Sequence, residues 1–259
     1  AAIPAGSRFV PDKEIHEAIK KAASDIEIRS DYRGRNYRFN ITTPPKPQPV
    51  IVPDYTKRLI DRAADIDEAE LWELSPVRLT DDPAGDWRLL IETIFNPDDY
   101  IFIGSLYDTD LRTADAVLMD KEPAGQYICP NPFNPQGKRQ DADVIRFQYA
   151  IVEFDELSIA DQIRFWATIP LPVSALIFTG NKSIHALIEL SGINSLEDWN
   201  RIVKAELYSK RLAPLGVDTA CGNPSRTTRT PSVKRGDNYQ RLLYLNPEPN
   251  GKAIIDSRI

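Results

Sequence analysis

The chain has 259 residues, 42% hydrophobic and 27% charged, enough to bury a sizeable core in one large or two small domains. No apolar run approaches the roughly 20 residues of a membrane span, and the opening AAIPAGSRFVPDKE lacks the basic-then-apolar pattern of a secretion signal. No membrane partner is expected, and Cys129 and Cys221 with two histidines fall short of a structural zinc set, so a reduced cytoplasmic protein is the simplest reading. The net charge of -6 argues at first against nucleic acid. Its distribution says more: residues 1–50 carry 9 Lys/Arg against 6 Asp/Glu, residues 51–156 carry 10 against 23, and residues 157–259 carry 13 against 9. A local basic surface can hold phosphates while another face is acidic.

Residues 1–53 read as an arm with a Pro-rich linker. RSDYRGRNYRF (29–39) interleaves Arg33 and Arg35 with aromatics, which suits phosphate contact with base stacking and equally a solvated surface strand. TTPPKPQPVIVP (42–53) cannot be helical and is expected to be extended. Asp54 is a plausible N-cap for a helix to about Leu74. Residues 86–103 suggest a short helix, a turn at Asn96-Pro97 and a strand at Tyr100–Ile103, and 120–141, rich in Pro, Gly and Asn, a long loop. Residues 54–140 would form an amino-terminal α/β module.

The segment 141–259 reads as a second module. Gln148–Phe154 is an apolar strand. Ser158 and Asp161 open a helix to about Ile169, which Pro170 and Pro172 stop. Val173–Phe178 and Ile184–Leu190 are strands around a turn at 179–182. Ser195 and Asp198 open a helix to about Leu212, and Arg241–Leu245 is a last strand. The order β-α-β-β-α-β is that of the ferredoxin-like (RRM-like) fold, an α+β class with sheet order 4-1-3-2.

In that arrangement the carboxyl end of the first strand, with Glu153 and Asp155, lies beside the amino end of the third, with Ser183 and His185. Each pair is spaced i, i+2, as for side chains on one face. The loop to the last strand brings Asp218, Arg226, Arg229, Lys234 and Arg235 to the same end. Each feature has a plain alternative: E-x-D pairs are common on surfaces, lone histidines are usually structural, and Asp218 suits a cap. Lys182-Ser183 is not a Walker A loop, because no glycine stands at the required spacing. Together, three carboxylates and a cationic set have the parts for nucleotidyl transfer. Hard oxygen ligands suit two Mg²⁺ or Mn²⁺ ions about 4 Å apart, and Lys182, His185, Arg226 and Arg229 suit a triphosphate.

At VEFDE (152–156), GNKSIH (180–185) and GVD (216–218) the chain resembles the archaeo-eukaryotic primase superfamily, in particular the primase-polymerase domains of phages and plasmids. The phrases FQYAIVEFDELSIADQ and NPSRTTRTPSVKR are similar too, and the likeness spans about 147–235. It implies a DNA primase-polymerase that uses dNTPs or NTPs on a single-stranded DNA template and primer. Glu153, Asp155 and Asp218 would hold Mg²⁺ or Mn²⁺, and Ser183, His185, Arg226, Arg229 and Lys182 would meet the triphosphate. Arg33, Arg35, Lys234 and Arg235 are the residues expected to meet DNA. Many members begin the acidic pair with Asp, where this chain has Glu153. The chain carries no ATPase motif, so a helicase is expected in trans or from a further carboxyl-terminal region, in the cytoplasm of a phage or plasmid host. Two alternatives stand beside this reading: a non-catalytic nucleic-acid-binding module, and another two-metal enzyme such as a nuclease or cyclase.

Overall fold

The computed structural model describes residues 52–258. The basic stretch with Arg33 and Arg35, and most of the Pro-rich linker, lie outside the described residues. The described part belongs to one compact unit, Val50–Ile259. No helix in it is long and apolar enough to cross a membrane.

The first helical stretch is two helices rather than one, α1 (Asp54–Arg62) and α2 (Glu68–Glu73). Pro53, not Asp54, is the cap residue of α1, and Asp54 sits in the first turn, where its charge complements the helix dipole. The break has a local cause. Asp67 accepts the Glu70 amide at 3.0 Å and so starts a new helix where the first could have continued. Helix α3 (Asp86–Ile94) and the turn after it follow the sequence pattern, with Asp99 accepting the Asn96 amide at 2.7 Å. Beyond it lie β1 (Tyr100–Ile101), β2 (Ile103–Gly104), β3 (Arg112–Thr113) and α4 (Ala114–Leu118). The stretch 120–141, expected as loop, contains β4 (Tyr127–Ile128), which pairs with β2 and with β8 (Thr228–Arg229) in a three-stranded sheet. Strands of two residues are too short to leave a period in the sequence.

The central sheet holds β5 (Tyr149–Val152), β6 (Val173–Phe178), β7 (Ile184–Glu189) and, after the hairpin of β9 (Lys234–Arg235) and β10 (Asn238–Tyr239), β11 (Arg241–Leu245), all antiparallel. Helix α5 (Ile159–Thr168) connects β5 to β6. Between β7 and the last loop, α6 (Leu196–Asp198) runs into a wider π-type helix over Trp199–Leu212. The Ser158 and Ser195 hydroxyls cap these helices at the Asp161 and Asp198 amides, as the sequence suggested.

Strand order differs from the expectation. In order of appearance the strands lie 4-2-3-1, not 4-1-3-2, so β5 is an edge strand and β11 pairs with β6. The outer edge of β5 is already taken. Asn131 bonds the amide and carbonyl of Tyr149, the Tyr208 hydroxyl donates to Ile151 O, and the Asp218 amide donates to Glu153 O at 3.0 Å. With these outward groups paired, the edge of β5 is blocked to a further strand. The antiparallel pairing of the first and third strands does hold, and the amino end of β11 still lies at the Glu153 end.

Both faces of the sheet are covered. Ala150, Val152, Leu176, Ala186 and Leu243 pack with Phe165, Trp166 and Val203 on one side. Tyr149, Ile151, Ile177, Leu187 and Leu242 pack with Trp87, Leu90, Ile91 and Ile94 of α3 on the other. Both cores draw on residues from before and after position 140. Burial on both faces explains why these strands read as unbroken apolar runs.

Candidate active site

Three local devices build the site. The register of β5 on β7 pairs Val152 with Ala186, so one step further Glu153 stands opposite His185. Glu153 Oε2 and His185 Nε2 are 2.7 Å apart, and both side chains are buried. On its other ring nitrogen, His185 Nδ1 lies 3.0 Å from Thr228 Oγ1 of β8, so the imidazole is held from both sides.

The second device is the edge contact of Asp218. Its amide donates to Glu153 O, which fastens the GVD segment to the end of β5. Gly216, at φ 85°, makes the left-handed turn that brings the chain there. Asp218 Oδ1 accepts the Ala220 amide at 2.9 Å and so caps the short turn Thr219–Cys221. That turn delivers Cys221, whose thiol donates to Glu153 Oε1 at 2.8 Å and lies 3.6 Å from Asp218 Oδ2.

The third is the loop after Cys221. Arg226 donates to Cys221 Sγ at 3.3 Å and stands 4.0 Å from Glu153 Oε1. Arg229, on β8, lays its guanidinium over the Tyr127 ring at 4.3 Å. Arg235 donates to Thr179 O at 3.2 Å. A cavity of about 400 Å³ opens here, with Arg139, His185, Arg226, Arg229 and Arg235 on its wall against the single carboxylate of Glu153. Burial pushes the Glu153 carboxyl up, but hydrogen bonds from His185 and Cys221 and the Arg226 charge outweigh it and hold its pKa at about 2. Burial and the bond to Glu153 push the Cys221 thiol up, so it keeps its proton.

Of the residues singled out by sequence, Glu153, His185, Asp218 and Arg226 come together directly, and Arg229 and Arg235 line the same cavity. Asp155 does not join them. It is half exposed and paired with Lys182 Nζ at 3.2 Å. Strand β5 ends at Val152, so the period-two rule that would place Asp155 beside Glu153 does not extend to it. Ser183 is buried in the β6–β7 turn, its hydroxyl 3.4 Å from that of Thr179. Lys234 alternates with Arg235 and faces a separate groove with Trp87 and Tyr239.

Among the described residues, Glu153, Asp218 and Cys221 offer ligand atoms within 4.8 Å of one another. Two carboxylates are hard donors suited to Mg²⁺ or Mn²⁺, and the Cys221 thiol stands beside them. The residues present therefore fit a hard divalent ion.

No protein-family model and no curated protein matches the chain. Among solved structures, the chain is similar to the AEP domain (PP-N190) of the cyanophage S-2L primase-polymerase (PrimPol), at 21% sequence identity and a TM-score of 0.46. The alignment covers 64% of this chain and 91% of that one.

Sequence reasoning missed several participants. Cys221 left no signal beyond standing three residues after Asp218. Thr228 lies between the two arginines that drew attention. Gln162, fully buried, donates to Leu157 O and Lys182 O and accepts the Ile184 amide at 2.7 Å, so α5 holds the Lys182 turn. Arg139 sits in the stretch expected as loop, and its spacing to the rest of the site carries no pattern.

Proposed function

We propose that this chain is a primase-polymerase: a metal-dependent enzyme that transfers nucleotides from dNTPs or NTPs to a 3′-hydroxyl on a DNA template. One observation carries the reading. Glu153 is the one carboxylate on the wall of a cavity whose other charged side chains are cationic, and half-buried Asp218 stands beside it, with ligand atoms of the two within 4.8 Å. That polarity suits a metal–triphosphate complex better than a neutral or cationic ligand.

Glu153 and Asp218 would hold Mg²⁺ or Mn²⁺, with Asp155 as a further ligand once its pairing with Lys182 opens. When bound, the metal neutralises phosphate charge and lowers the pKa of the attacking hydroxyl. The chain's own residues do the rest. Arg226, Arg229 and Arg235 hold non-reacting phosphate oxygens, and His185, its ring fixed by Thr228, steadies the Glu153 carboxylate. Lys182 and Ser183 stand at the turn beside the site. Asp218 keeps one oxygen for its own cap, so its carboxylate is oriented before any ligand arrives.

The test is nucleotide incorporation on a primed single-stranded template with Mn²⁺. Glu153→Gln and Asp218→Asn keep size and one acceptor oxygen but remove the charge. Each is expected to lose at least ~10²-fold in rate while melting stays cooperative. Full activity in either variant would defeat the assignment.

A further inference from the structure

We propose that Asn131 is a positioning residue that holds the strand of Glu153 and the loop of Arg226 in one fixed relation. It rests on the function above only for its activity readout. Asn131 is 1% exposed. Its Oδ1 accepts the Gln148 and Tyr149 amides at 2.8 and 2.9 Å. Its Nδ2 donates to Tyr149 O at 2.9 Å and to Pro224 O at 3.0 Å. A side-chain amide has two donor hydrogens and two acceptor lone pairs, and here all four are used.

The placement gives those bonds their meaning. Three fasten the start of β5, four residues before Glu153. The fourth fastens Pro224, two residues before Arg226. The same segment grips the loop on either side: Asp141 Oδ1 accepts the Ser225 hydroxyl at 2.6 Å and Asn223 Nδ2 at 3.2 Å, and Cys129 Sγ reaches Pro224 O at 3.6 Å. Arg226 meets Glu153 only at 4.0 Å, with Cys221 between them, so its distance is set by where the loop is held. Asn131 itself is absent from the cavity wall. It acts through the two elements it joins.

Asn131→Asp is nearly isosteric. It keeps the acceptor for the strand amides but turns Nδ2 into an oxygen facing two carbonyl oxygens, so the tie to Pro224 is lost. The experiment measures kcat and KM for nucleotide incorporation, the melting temperature, and the rate at which a thiol reagent modifies Cys221 in a Cys129→Ser background. Leu90→Ala, in the core on the α3 side, serves as a control for lost stability alone. Asn131→Asp is expected to lower kcat/KM by about 10–100-fold and to speed Cys221 modification about tenfold or more, as the loop over it loosens. The control should change neither. A parental modification rate in Asn131→Asp, or equal acceleration in Leu90→Ala, would overturn the proposal. If the parent protein incorporates no nucleotide, the functional reading falls, and the thiol comparison alone decides the role of Asn131.

Discussion

Two buried carboxyls in this molecule have opposite electrostatic fates. Glu153 is surrounded by donors and its pKa is held at about 2, so its contacts contribute stability above about pH 4.5 that is lost as pH falls toward 2. Asp86, at the start of α3, is buried with one strong donor, the Leu242 amide at 2.9 Å, and its pKa is pushed up from 3.8 to about 6, burial outweighing that bond. The folded state therefore binds this proton more tightly than the unfolded one. Stability falls as pH rises from about 4 through about 6, and the loss is complete above that. Asn in place of Asp86 keeps an acceptor for Leu242 and carries no charge. Asp86→Asn is expected to stabilise the protein by about 1–3 kcal/mol at pH 8 and by nothing at pH 4, read by denaturant melts at both values. A pH-independent effect would refute this account of Asp86. At this scale the sequence was readable where chemistry is local. Ser158 with Asp161, and Ser195 with Asp198, announced their helices by spacing alone. Cys221, Thr228 and Asn131 could not be read, because they act on partners 68, 43 and 93 residues away, and no spacing rule reaches that far.

Among the elements, β6, β7 and β11 match the expected ranges because each is an apolar run closed by a turn. Strand order was not legible. The sequence shows that β5 is a strand but not that Asn131, Tyr208 and Asp218 occupy its outer edge, and that occupation decides where β11 pairs. The long helix expected after Asp54 failed for a related reason, since a side-chain cap at Asp67 outcompetes the periodic pattern across it. The small sheet of β2, β4 and β8 has its own requirement. A Cβ on Gly125 would stand 2.2 Å from the Gly104 backbone carbon, so β2 and the entry to β4 can approach only if residue 125 lacks a side chain. Gly125→Ala is expected to cost about 1–3 kcal/mol. It should also weaken nucleotide incorporation, since β4 supports Tyr127 beneath Arg229 and β8 carries Thr228 behind His185. Parental stability in this variant would show that the two backbones have room to part.

Over the whole molecule, charge is segregated. The middle of the sequence is strongly acidic, yet the cavity at the end of the central sheet gathers Arg139, His185 and three arginines from the final loop around one glutamate. That explains how a chain of net charge -6 can gather cations in one cavity: most of its acidic residues lie outside that cavity, and the sheet topology selects which charges meet. We propose that Glu153 and Asp218 together hold a hard divalent ion facing that cationic wall. Anomalous diffraction from crystals soaked in Mn²⁺ and a non-hydrolysable nucleoside triphosphate measures this directly. The expected result is a manganese peak bonded to oxygens of both Glu153 and Asp218, with phosphate density against Arg226 and Arg229. Manganese bound elsewhere, with these two carboxylates left to His185 and Cys221, would contradict it.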